Sequence, residues 1–118
     1  MPKLHTLLHI CSAEDWLTAR GESEYRPSSL VSQGFIHLST PQQVHLPANR
    51  IFAGRTDLVL LHLDPRRLNS PVRWEAGVES DPADSKFPHL YGPLPTAAVT
   101  AVVEYLPDLD GRFAPLPG

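Results

Sequence analysis

Six histidines stand in this 118-residue chain, and four of them fall inside or at the end of runs that read as β-strands. Imidazole is the side chain whose charge changes near neutrality, and its two nitrogens can donate, accept or ligate. In the run Leu4 to Ile10, period-two counting sets His5, Leu7 and His9 on one face and Leu4 and Leu8 on the other. His9 lies beside the strand's end. In Gly34-Phe35-Ile36-His37-Leu38-Ser39-Thr40, a short buried strand carries His37 two residues from its end, followed by two hydroxyls. A buried imidazole without a hydrogen-bond partner is costly. Each histidine therefore either pairs with a backbone carbonyl or carboxylate, or helps to build a site.

Two further stretches can carry chemistry. Glu75 follows Trp74 and reads as a general base, a ribose-hydroxyl acceptor or a solvated strand end. In Phe87-Pro88-His89-Leu90-Tyr91-Gly92-Pro93, two prolines and a glycine impose a stiff path on His89 and Tyr91, which suits a flat ring ligand or a plain lid over the core. Arg26, Arg50, Arg55 and Arg73 are individually weak phosphate candidates. Cys11 shares a strand face with His9, where a lone thiol is either a nucleophile or a small core hydrophobe. Neither Cys-x-x-Cys nor His-Glu-x-x-His occurs, so no metal is expected, and glycine-rich phosphate loops and Gly-x-Ser-x-Gly are absent.

The elements that must hold these residues are short. Ser12 caps a helix over Ala13 to Arg20, with Asp15 three residues on and Trp16 and Leu17 on its inner side. Residues 21 to 29 read as a loop. Ser28 or Ser29 starts a single turn that ends at Gly34. Thr40 caps a helix with Pro41 at its first position, Val44 and Leu46 inward and an interruption at Pro47. Leu58 to Leu63 is almost continuously apolar, which marks a central strand. Val72 to Glu75 and Phe87 to Tyr91 are short extended runs on either side of a polar loop at 76 to 86. Pro93 and Pro95 continue irregularly, Ala97 to Leu106 is the last strand, and the tail from Pro107 is loosely held. Short strands mixed with small helices give an α+β class.

The bulk numbers agree with one domain over residues 1 to 118, its core at about 4 to 106. Thirteen prolines, scattered among apolar runs, indicate a loop-rich fold. A net charge of −3 argues against RNA as a partner, and a single cysteine makes a reducing, cytoplasmic setting the default. No apolar run reaches the roughly 20 residues of a membrane span, so no membrane partner is expected. Oligomeric state is not legible.

The phrases Gly34-Phe35-Ile36-His37-Leu38-Ser39 and Phe87-Pro88-His89-Leu90-Tyr91-Gly92-Pro93-Leu94, with Leu8-His9-Ile10, Trp16, Gln43, Ala48, Asp57 to Leu61 and Trp74-Glu75, resemble the uncharacterised bacterial domain family numbered 952. The resemblance runs from about residue 4 to 106. The fold of that family is similar to the ADP-ribosyltransferase fold, and in layout to NAD-dependent RNA 2′-phosphotransferase. This implies a split, mainly antiparallel sheet whose cleft takes NAD, as co-substrate, or a related nucleotide. By that match His9 is the first-strand histidine and His37 the second. His37 and Ser39 would meet ribose or phosphate oxygens, and His9 a ribose hydroxyl or the adenylate part. Tyr91 would stack on nicotinamide, beside His89 and Glu75. The implied chemistry is attack on the nicotinamide ribose carbon, with NAD supplying the leaving group. The alternative is a non-catalytic nucleotide- or metabolite-binding or protein-interaction domain. Two departures stand out: Ile10 occupies the place of a glycine common in that fold, and no arginine closely follows His37.

Overall fold

In a computed structural model, which describes residues 6–76 and 86–116, the chain folds as a small α+β domain in which every paired strand is antiparallel. The expected strand start at Leu4 and His5 and most of the polar loop at 76 to 86 lie outside the described residues.

Strand β1 spans Leu7–Ser12, later than the expected Leu4 to Ile10. Helix α1 (Ala13–Ala19) follows at once, and the Ser12 hydroxyl accepts from the Asp15 N–H at 3.0 Å, as the capping pattern requires. Trp16 packs on the core as expected. Leu17 does not; it is 58% exposed, because one short turned segment can aim only one of two neighbouring residues inward. The expected loop at 21 to 29 contains β2 (Glu24–Tyr25) and the start of α2 (Ser28–Gln33), which is closed by Gly34 at φ 86°. Strand β3 is only Ile36–His37. Helix α3 (His45–Ile51) begins five residues after Thr40, and Pro47 sits in its first turn, where its missing N–H costs no helical bond. The expected helix interruption at Pro47 is thus a helix start.

The central strand is β4 (Leu58–Leu63), as its almost continuous apolar run demands. Asp64 caps the turn that ends it, accepting from the Arg66 N–H at 3.0 Å. Strands β5 (Val72–Ala76), β6 (Lys86–Leu90), β7 (Leu94–Pro95) and β8 (Val99–Tyr105) complete the chain. They form two three-stranded sheets, β1-β4-β8 and β3-β6-β5, and the pair β2-β7.

One bridge joins the large sheets: Leu8 and Ser39 exchange both backbone hydrogen bonds at 2.8 Å. Pro88, in the middle of β6, explains why the pairing of β3 is so short. Its carbonyl accepts from Leu38 at 3.0 Å, but it has no N–H to return. Freed from β6, the chain at Ser39 crosses to β1. Gly92 is needed for a different reason: a Cβ there would lie 2.0 Å from the Ser70 hydroxyl oxygen.

Two apolar clusters flank the first sheet. One gathers Leu7, Cys11, Tyr25, Ile36, Leu38, Leu61, Leu63, Leu90 and Leu94. The other gathers Leu8, Val44, Ala48, Leu58, Leu60, Tyr105 and Phe113. The expectation of a loosely held tail is overturned here. Phe113 is 2% exposed, its backbone N–H and C=O bond the Asn49 side chain at 2.7 and 2.9 Å, and Gly54 donates to the Gly111 carbonyl at 2.8 Å. No helix among the described residues is long and apolar enough to cross a membrane.

Candidate functional cleft between the two sheets

Where β3 leaves β6 for β1, the two sheets part and leave a cleft of about 440 Å³. That volume lies within the roughly 300–1,000 Å³ typical of small-molecule sites. His9 from β1, His37 from β3, Ser39 and His89 from β6 all line it. Arg50 and Phe52 close one side from the end of α3, and Ser28, Ser29, Ser32 and Gln33 another from α2.

His9 is buried, and its Nδ1–H donates to the His37 carbonyl at 2.8 Å. A carbonyl only accepts, so this bond fixes the tautomer and leaves Nε2 as an acceptor. Burial pushes the imidazole pKa down to about 4, against a weaker opposing effect of that hydrogen bond. The ring is therefore neutral at physiological pH. Tyr25 meets it edge-on, with ring centroids 5.6 Å apart.

His37 turns outward, although the sequence pattern suggested a buried strand; its neighbours Ile36 and Leu38 are the enclosed residues. Its Nε2–H donates to Gln33 Oε1 at 2.6 Å across the α2–β3 turn. Partial burial, then the proximity of His89 and Arg50, lowers its pKa. His89 is buried and held by Glu75, whose Oε1 accepts from Nδ1 at 2.8 Å. The same oxygen accepts from the Tyr91 hydroxyl at 2.5 Å. The Tyr91 and His89 bonds keep the Glu75 carboxyl below its usual range, and the bond to Glu75 raises the Tyr91 phenol above its own.

The six sequence candidates thus fall into two tiers. His9, His37, Ser39 and His89 line the cleft, whereas Glu75 and Tyr91 lie behind it and reach it through His89. One side of the Tyr91 ring faces Phe35 at 5.3 Å, and the Arg73 guanidinium stands over it at 5.0 Å. Cys11 also lines the cleft, but burial pushes its thiol up to about 12, which keeps it a protonated thiol and speaks against a nucleophile. Ile10 lines the cleft too, where a glycine would have let a ligand approach the backbone. Among the described residues, no group of three or more His, Cys, Asp or Glu is placed to hold a metal ion.

Sequence reasoning missed Phe35, Gln33 and Tyr25. Phe35 stacks on His89, with centroids 4.1 Å apart and rings 16° from parallel. It shares the face of His37 two residues on, a period-two signal that could have found it. Gln33 stands four residues before His37, and Tyr25 sits in a two-residue strand with no local signal.

A family profile described as Protein of unknown function (DUF952) matches residues 10–102. The chain belongs to this family. It is similar to CC0527 from Caulobacter crescentus, whose crystal structure superposes with a TM-score of 0.78 at 30% identity, covering 92% of this chain and 93% of that one. The solution NMR structure of CC0527 gives a TM-score of 0.74 at 31% identity over 91% and 90% of the two chains. No curated protein matches the chain. CC0527 therefore shares the fold of this chain, and neither the family description nor that protein's name carries an activity.

Proposed function

We propose that the cleft binds a nucleotide through its ribose, that NAD is the co-substrate, and that the protein is a cytoplasmic ADP-ribosyltransferase-like enzyme. The observation that carries this reading is His9: a buried, neutral imidazole whose only proton is committed to the His37 carbonyl and whose other nitrogen is left to accept. The ring of His37, its pKa also lowered, repeats the arrangement, with Nε2 given to Gln33. Acceptor nitrogens on a common wall suit a donor-rich ligand, such as ribose hydroxyls and a carboxamide NH₂. Lone pairs on neutral rings also favour the positive charge that grows on a ribose carbon as nicotinamide leaves. The acidic balance of the chain speaks against RNA as the acceptor.

One observation favours a second reading, a non-catalytic nucleotide- or metabolite-binding domain. Glu75, the carboxylate of the candidate set, is committed to His89 and Tyr91 and stands behind the cleft.

Calorimetric titration with NAD, on the wild type and on His37→Ala, tests the first step. Binding should weaken about tenfold in the variant, the loss expected for one well-made hydrogen bond and its stranded partner. No heat from the wild type at millimolar NAD would remove NAD from the proposal. Nicotinamide release, lost in His37→Ala, is the result expected of a transferase; binding without release selects the second reading.

A further inference from the structure

The sheet β1-β4-β8 finishes differently at its two edges. The β1 edge is taken by Ser39, which exchanges both backbone bonds with Leu8. That exchange fixes the parity of the whole sheet. Leu8 turns its backbone away from β4, so Leu7, His9 and Cys11 turn theirs toward Leu63, Leu61 and Val59. Leu58, Leu60 and His62 therefore face β8, and the Thr100 hydroxyl bonded to the His62 carbonyl agrees. On β8, Ala101, Val103 and Tyr105 spend their backbone groups on β4. The N–H and C=O of Val102 and Glu104 then point off the edge, and among the described residues no backbone hydrogen bond reaches them.

Such an edge is a template for another strand unless it is blunted. Residues 100 to 104 are all exposed, Val102 at 42% and Val103 at 46%. From Ala101 to Tyr105 there is neither proline nor lysine, and the register shift against β4, between His62 and Leu63, lies before this stretch.

We propose that β8 pairs antiparallel with β8 of a second copy of this chain, about a two-fold axis at Val103, and joins two sheets into one of six strands. The occupant follows from self-complementarity. About that axis Val102 exchanges hydrogen bonds with Glu104 of the second copy, and Glu104 with its Val102, so every outward group is satisfied. Val103 meets its own copy, and small Ala101 faces large Tyr105. Glu104, the one charged side chain of β8, faces a valine. An axis one residue later would set the two Glu104 carboxylates opposite one another, and one residue earlier would spend the pairing on Thr100, where the strand is irregular. This inference is independent of what the cleft binds.

Sedimentation equilibrium of the full chain, from about 1 µM to about 1 mM, reads the outcome. The mass should climb toward twice the 13.0 kDa of the chain. Two variants then probe the register. Val102→Pro removes an outward N–H and leaves the β4 ladder whole. Val103→Lys sets two ammonium groups face to face on the axis. Each should weaken the dimer at least about tenfold while circular dichroism and the unfolding midpoint show an intact fold. A wild type that stays at 13.0 kDa throughout overturns the proposal, and so does a dimer that neither variant weakens.

Discussion

His9 is an ionisable group placed where ionisation is expensive, and that makes it a pH sensor for the stability of the fold. Its folded pKa of about 4 lies below the 6.5 of an ordinary histidine, so a proton binds the unfolded chain more tightly. The stabilisation is complete above about pH 6.5, drains away as the pH falls toward 4, and amounts to about 3 kcal/mol between those limits. Urea unfolding at a series of pH values should show this slope, and His9→Asn should flatten it. An equal slope in both proteins would mean that His9 is not the group responsible. The residues of the cleft were legible in the sequence in proportion to how local their signal was. His9, His37, Ser39 and His89 stand at or near the ends of recognisable strands, and the structure lines one cleft with them. The pairing of Glu75 with His89 and Tyr91 was not legible, because β5 and β6 are separated in sequence by a long connection and only their register sets Glu75 opposite Phe87, beside His89.

At the scale of elements, the turn from α2 into β3 decides where His37 points. Gly34 ends the helix in the left-handed region, and no atom lies within 4 Å of where its Cβ would be. The cost of a side chain there is thus conformational and not steric. Gly34→Ala should destabilise the protein by about 1–2 kcal/mol, and Gly34→Asn by less. The Gln33–His37 bond spans this turn, so an NMR spectrum should show the His37 ring shifting in Gly34→Ala while core methyl signals stay fixed. A shift spread over the whole core would contradict this local account. The same scale explains which elements could be read in advance. The six-residue run of β4 and the cap of α1 carry their signals in adjacent residues. β2 and β7 are two residues each, and pair across some seventy positions, Tyr25 with Leu94. Nothing near Tyr25 announces a strand. Pro47 misled for a related reason: proline reads as a break, but in the first turn of a helix it is tolerated.

For the molecule as a whole, the tail is the clasp that closes the second cluster. Its prolines, glycines and aspartates look like a disordered end, yet Phe113 packs against Tyr105 with ring centroids 4.6 Å apart, and both backbone groups of Phe113 are taken by Asn49. The signal lay in one aromatic residue, whose burial depends on α3 and β8 arriving on either side. That dependence has a measurable consequence. The clasp joins the first and last described elements of the sheet to α3, whose end lines the cleft through Arg50. Phe113→Ala should cost about 3–5 kcal/mol, the usual loss for emptying a buried aromatic site, and Asn49→Ala about 1–3 kcal/mol for the orphaned backbone groups. If the tail is part of one cooperative unit, the unfolding transition of Phe113→Ala stays single and its denaturant slope is unchanged. If the tail is instead an appendage, the variant loses little stability, and hydrogen exchange at Gly54, which is bonded to Gly111, is fast in the wild type as well. Slow exchange at Gly54 that becomes fast on Phe113→Ala would tie the end of the chain to the wall of the cleft.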